Sequence, residues 1–232
     1  MSRGRKQKSM NQPTTPLRRP QRLGEEVYKA IYDQLMSHKI APGGRIAVDG
    51  LARELGVSQT PVREALSRLE AQGLIVKTHL IGYSAANQLD ERRLGQLYDI
   101  RMLLEPFAAA KAALNASDEV LENFYHLAQQ MEVRGDAVSR IAYGEFARYD
   151  SEFHELVAAA SGNELIRDTL SRLHTHVHLF RLFYHARATS GAIEEHSKII
   201  EAIRARDPDA AEAAMRDHIE HSRDRFMGYF GG

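Results

Sequence analysis

Residues 56–75 read GVSQTPVREALSRLEAQGLI. Val62, Ala65, Leu66 and Leu69 recur at the three- and four-residue spacing of one helix face, and Gly73 closes the pattern. Ser58, Gln59, Thr60 and Arg63 fall off that stripe in the first turn or two, with Pro61 stiffening the start. In a helix-turn-helix the second helix rests its apolar side on its own domain, while polar groups at its N-terminal end reach base edges and phosphates. The stretch has that division. Its first backbone N–H groups and the positive end of the helix dipole favour phosphate at the same place. Arg63 can grip a guanine edge in bidentate fashion, and Ser58 or Thr60 can hold a phosphate.

The surroundings supply the rest of a small domain. From Gly24, the residues Val27, Ala30, Ile31 and Leu35 fall at helical spacing until APGG (41–44) signals a turn. Leu51, Ala52 and Leu55 predict a short second helix ended by Gly56. LIVK (74–77) and IGYSA (81–85) predict a hairpin across Thr78, His79 and Leu80. Beyond Asn87 the strand-like runs stop, and amphipathic segments follow at 90–115, 117–133, 136–161, 163–187, 190–206 and 208–229. Ser117, Asp136 and Ser190 read as N-caps, and Asp207 before Pro208 places a cap and a first-turn proline where both are favoured. The expected fold is mainly α: an N-terminal winged helix-turn-helix of three helices and a β-hairpin over 23–86, then an all-α antiparallel helical bundle over 87–232.

Charge and composition narrow the function classes. The 232 residues carry 31 basic and 31 acidic side chains, and 43% are hydrophobic. The zero net charge hides an asymmetry: residues 1–22 hold 7 Lys/Arg and no Asp/Glu, residues 23–85 hold 7 of each, and 86–232 hold 17 basic against 24 acidic. The 1–22 segment is expected to be a disordered basic tail able to attract phosphates. No apolar run approaches the roughly 20 residues that span a bilayer. Basic residues at the N-terminus have no apolar stretch behind them, so a secretory signal is not expected, and a cytoplasmic location follows. The absence of cysteine excludes disulfides and thiolate chemistry.

Two resemblances sharpen these readings. The run LARELGVSQTPVREALSRLEAQGLI (51–75), preceded by IAPGGRI (40–46), resembles the winged helix-turn-helix signature of the GntR family of bacterial transcription regulators. The resemblance covers roughly 24–85 and implies that Ser58, Gln59, Thr60 and Arg63 face DNA, with Gly82 in a wing near the minor groove. The chain departs from the family at Gln59, where a basic residue is common, at the wing tip, where LIG (80–82) replaces an Arg-Gly pair, and at Asp49, where a polar or basic contact is common. Because Gln prefers adenine where Arg prefers guanine, these departures bear on operator sequence rather than on fold.

The second resemblance lies in YDIRMLLEPFAA (98–109), DSEFHELVAAASGN (150–163) and EEHSKIIEAIRARDPDAAEAAMRDHI (194–219), which look like the FCD-type effector domain of the FadR subfamily. By spacing alone, Asp150 and His154 share a helix face, a weak signal for metal. The resemblance implies a metal site of Asp150, His154, His196 and His218, a donor set suited to zinc or nickel. It also implies that Arg101 meets the carboxylate of a small organic-acid effector, since guanidinium grips carboxylate bidentately; an ion pair with Glu105 one turn on is the competing role. Arg148, Asn163 and Arg181 are further pocket candidates. His174, His176 and His178 either line the pocket, replace a ligand, or serve as ordinary polar residues, the default assignment.

The expected function is a homodimeric, sequence-specific repressor or activator whose affinity for a pseudo-palindromic operator responds to a carboxylate bound near a divalent metal. A metal-dependent hydrolytic enzyme and a direct metal sensor are the alternatives that the same residues allow.

Overall fold

The computed structural model describes residues 21–135, 140–182, 189–228 and 230. The basic tail through residue 20, the expected cap at Asp136 and the side chain of Arg181 lie outside the described residues. The elements run α1 (Gln21–Met36), β1 (Arg45–Ile46), α2 (Val48–Leu55), α3 (Gln59–Ala71), β2 (Ile75–Thr78), β3 (Gly82–Ala85), α4 (Glu91–Asn115), α5 (Asp118–Gly135), α6 (Arg140–Ala160), α7 (Glu164–Leu173), α8 (Thr175–Leu182), α9 (Thr189–Arg204) and α10 (Pro208–Met227).

The first three helices close around one apolar cluster. Val27, Ile31 and Leu35 of α1 meet Leu51 of α2 and the α3 stripe of Val62, Ala65, Leu66 and Leu69, with Ile75 and Tyr83 closing one end. Between α2 and α3 the chain turns at Gly56, whose φ of 66° lies in the left-handed region open to glycine. The hairpin appears as expected, β2 pairing antiparallel with β3 from Ile75↔Ala85 to Thr78↔Gly82. A third strand, β1, pairs with the other edge of β3, giving the sheet order β1-β3-β2. Two residues are too short a run to show period-2 alternation, so β1 leaves no mark in the sequence.

The remaining helices form a bundle around a second cluster. Ala108, Ala109, Ala112 and Ala113 make one side of α4 small, and α10 packs most extensively there. Phe124 of α5 and Phe153 of α6 meet edge to face with ring centroids 5.6 Å apart. Pro106 sits inside α4, and its missing N–H deprives the carbonyl of Met102 of its usual helical donor. Ala147 of α6 packs against the first cluster, so the bundle leans directly on the N-terminal helices.

Capping bears out part of the reading and corrects part. Asp207 accepts a hydrogen bond from the Ala210 amide, with Pro208 at the helix start, and Ser117 accepts from the Val120 amide. Ser190 lies inside α9 rather than ahead of it. The segment expected as one helix over 163–187 is divided: α7 stops at His174, which adopts φ 47°, and α8 starts anew. No glycine or proline marks that break, and a left-handed histidine is uncommon enough that periodicity gives no warning.

Replacing the α10 cap, Asp207→Ala, is expected to lower stability by about 1 kcal/mol while Asp207→Asn stays within a few tenths of wild type; urea midpoints of the two variants check this.

Candidate functional site

The N-terminal end of α3 presents Ser58, Gln59, Thr60 and Arg63 to solvent, while Val62, Ala65, Leu66 and Leu69 on the opposite side are buried. Ser58 precedes the helix in extended conformation, and its side chain makes no capping hydrogen bond. Its hydroxyl and the first amides of α3 therefore point to solvent as donors. Arg63 donates to the Gln59 carboxamide at 3.3 Å, which ties the two expected base-reading side chains together one turn apart. Gly82 is exposed at the start of β3, next to a tip at which Leu80 is 93% and Ile81 64% exposed. Apolar groups thus stand at the tip of the hairpin.

In the bundle, the four residues expected to bind metal converge from three helices. Asp150 and His154 lie on α6, His196 on α9 and His218 on α10. Oδ1 of Asp150 is 3.3 Å from Nε2 of His196 and 3.9 Å from Nε2 of His154, whose Nε2 is in turn 3.2 Å from Nε2 of His218. All three imidazoles are buried. His196 has both ring nitrogens buried without a hydrogen-bond partner. Buried polar atoms are nearly always paired, and ring nitrogens of His154, His196 and His218 close enough to share an ion, with Asp150 beside two of them, fit a cation held by imidazole and carboxylate.

Carboxylates behind the ring fix which nitrogen faces inward. Nδ1 of His218 donates to Glu195 at 2.8 Å, so its neutral form offers Nε2 as an acceptor. Nδ1 of His154 lies 2.7 Å from Oε2 of Glu105. His176 on α8 joins the group as well, with Nδ1 2.7 Å from Oδ2 of Asp150. Asp150, His154 and His176 form a second set of donors close enough to share an ion. The ordinary polar role expected by default for His176 is therefore corrected, because the left-handed turn at His174 swings α8 so that its second residue reaches Asp150.

Burial and charge set the protonation states. Burial pushes His154 and His218 down to about 4 and His196 to about 3, from a usual 6.5. Burial alone would raise the carboxyl groups, but the Arg101 charge and the His154 contact hold Glu105 well below the usual range. The neighbouring histidines do the same for Asp150. Against the same burial penalty, hydrogen bonds from Arg225 and His218 hold Glu195 at about 2. Near neutral pH the cluster is thus neutral imidazoles around ionised carboxylates, the state that binds metal.

A cavity of about 40 Å³ opens beside Asp150, His176 and His218, and Arg101, Ser222 and Arg225 also line it. Of the candidates whose side chains are described, Arg101 alone lines it. Arg101 is almost wholly buried and its Nε and Nη2 are engaged by Glu105, at 2.6 and 3.3 Å. Arg148 instead lies exposed, paired with Glu152 and stacked over Tyr149. Asn163 caps α7, its side-chain oxygen accepting from the amides of Leu165 and Ile166. Both are corrections: position along a helix does not tell which face meets the bundle axis. Arg225 was missed, as was Glu195, which it clamps at 2.7 and 2.9 Å. Arg225 sits a turn past His221 on α10, and nothing in its spacing separates it from the surface arginines around it.

The depressed histidines give a signed pH dependence. In the folded protein the three imidazoles stay neutral, whereas the unfolded chain takes up protons near 6.5. Stability of metal-free protein is therefore expected to be full above pH 6.5 and to fall between 6.5 and about 3, by up to about 1.4 kcal/mol per pH unit for each imidazole until its own folded value is reached. Denaturation midpoints in chelator at stepped pH measure it; His196→Phe should flatten the curve.

Comparison with known proteins completes the site. Residues 23–84 match the bacterial regulatory proteins of the gntR family, and residues 96–221 match the FCD domain. The chain is 31% identical over 201 residues to the Nta operon transcriptional regulator of Aminobacter aminovorans, covering 85% of this chain and 91% of that one. It is 27% identical over 208 residues to the HTH-type transcriptional repressor RspR of Escherichia coli (strain K12), covering 89% and 90%. Among solved structures, E. coli McbR/YncC shares the fold with a TM-score of 0.67 at 21% identity, over 90% of this chain and 98% of that one. No helix among the described residues is long and apolar enough to cross a membrane. Both matched domains are those of transcription regulators rather than enzymes. The chain belongs to the GntR family of DNA-binding transcription regulators, with an FCD effector domain following its helix-turn-helix.

Proposed function

We propose that residues 23–86 read a pseudo-palindromic operator as one half of a homodimer, and that residues 87–232 form the dimerising effector domain. Asp150, His154, His196 and His218 would hold a divalent cation, zinc or nickel by the preference of imidazole and carboxylate donors. The grouping of the buried His154, His196 and His218 within ligand-sharing distance of one another, with Oδ1 of Asp150 beside Nε2 of His196 and of His154, supports this reading. A cation there balances the ionised Asp150 and leaves positions toward the cavity for an anionic ligand.

The cavity favours a small carboxylate as that ligand. Arg101 and Arg225 both line it, and Nε of Arg225 is buried without a hydrogen-bond partner. Guanidinium groups recognise carboxylate by charge and by paired N–H donors. A cavity of about 40 Å³ accommodates a few atoms, in keeping with a small organic acid rather than a long chain. The ligand shifts DNA affinity to the extent that it binds one arrangement of the bundle better than another. On the DNA side, Arg63 and Gln59 are assigned to base edges, Ser58 and Thr60 to phosphates, and Gly82 to close approach of the hairpin.

Selection of fragmented genomic DNA by the purified protein, at moderate salt, is expected to enrich a palindrome. Failure to enrich any sequence, with metal added or removed, overturns the operator reading. Against the enriched site, Arg63→Ala should weaken binding by about 1–3 kcal/mol and relax one position of the sequence, whereas Ser58→Ala should weaken all sequences alike. Calorimetric titration of chelator-treated protein with zinc or nickel is expected to give one site per chain. His196→Ala and His218→Ala should lower its affinity by more than tenfold; unchanged affinity would remove the metal from this cluster.

A further inference from the structure

The three histidines of HTHVH (174–178) have work that the metal site alone does not explain. His176 reaches inward to Oδ2 of Asp150, while Oδ1 of the same carboxylate faces the imidazoles of His196 and His154. His174 and His178 bear instead on the N-terminal domain. The His174 ring hydrogen-bonds the backbone of Ala71, the last residue of α3. Gly73, two residues on, has φ 70°, and a Cβ built there would lie 3.0 Å from Cδ2 of His174 and 3.6 Å from Nε2 of His178. The two segments therefore meet closely, a side chain at Gly73 crowding the His174 ring, at the end of α3 opposite Ser58 and Gln59.

We infer that the α7–α8 junction is the mechanical link between the metal site and the recognition helix: His176 is a positioning residue that holds Asp150, and His174 and His178 press the C-terminal end of α3. This rests on the proposed metal site and on α3 being the recognition helix. The backbone supports it, because His174 closes α7 in a left-handed conformation and restarts the chain as α8, so that one short helix carries side chains to both sides. A short stiff element touching both sites has few ways to respond to one without disturbing the other. An ion held by Asp150 and the imidazoles would draw Asp150 toward the ring nitrogens, and His176 would follow through its hydrogen bond to Oδ2. Its neighbours are then displaced against Gly73 and Ala71. A helix of 13 residues moves as a rod of roughly 20 Å, so a shift at Ala71 re-aims Gln59 and Arg63 at the far end.

The test is amide hydrogen exchange on the full chain, with Zn²⁺ as the probe against chelator, and Zn²⁺ affinity measured in parallel by calorimetry. In wild type, Zn²⁺ is expected to slow exchange severalfold at 71–75 as well as within the bundle. His174→Gly removes the ring and relieves the left-handed backbone, so it should fold; it should bind Zn²⁺ as wild type does while exchange at 71–75 no longer responds. His176→Ala should lose about tenfold in Zn²⁺ affinity and lose the response at 71–75 even at saturation. Zn²⁺ binding in wild type with no response at 71–75, or an undiminished response in His174→Gly, overturns the link and leaves the metal site standing. No Zn²⁺ binding by wild type overturns the metal site and the link with it.

Discussion

The bundle is organised around the burial of one carboxylate, Asp150, among imidazoles. Placing an ionised group in a helical core carries a penalty of several kcal/mol unless partners surround it. His154, His176 and His196 from α6, α8 and α9 supply those partners, while Glu105 on α4 and Glu195 on α9 stand behind His154 and His218 and are paired with Arg101 and Arg225. Each helix of the effector domain that touches this point is thereby fixed in rotation as well as in position. Glu105 illustrates the economy: one carboxylate engages Arg101 with both oxygens and lies against His154. Removal of any member leaves a neighbouring charge or lone pair exposed to a low-dielectric interior.

The same network explains why the histidines are neutral and yet not satisfied. Burial removes their charge, and Glu195 orients the ring of His218 by accepting a hydrogen bond from its Nδ1–H. What remains is a set of inward-facing Nε2 lone pairs with too few protons among them. In most cores such a deficit would be repaired by apolar replacement. Such a deficit beside a cavity lined by Arg101 and Arg225 is the observation on which the proposed metal site rests.

At the other end of the chain the constraint is geometric. The α3 stripe packs so that the N-terminal turn stays exposed, and that turn faces away from the bundle contact at Ala71 and Gly73. The recognition end is thus free to meet DNA while the opposite end rests on the effector domain. The apolar tip formed by Leu80 and Ile81 bears on groove contact and not on the sheet, whose register depends on Ile75, Tyr83 and Ala85.

The sequence by itself determined the helix-turn-helix, the hairpin and the all-helical second half, because these rest on local periodicity and on caps such as Asp207; the set Asp150, His154, His196 and His218 came from the resemblance to the FCD-type domain, not from spacing. It did not show β1, the break at His174, the placement of His176 against Asp150, or the clamp of Glu195 by Arg225. The strand is too short and the histidine turn too uncommon to leave a pattern, and the other two are decided by rotation of one helix against another, about which a helical wheel drawn for a single segment contains no information. Arg148 and Asn163 make the same point in reverse: both looked able to line a pocket, yet one faces solvent beside Glu152 and the other spends its side chain on the first turn of α7. Local chemistry names the residues that can act, and only packing decides which of them share a cavity.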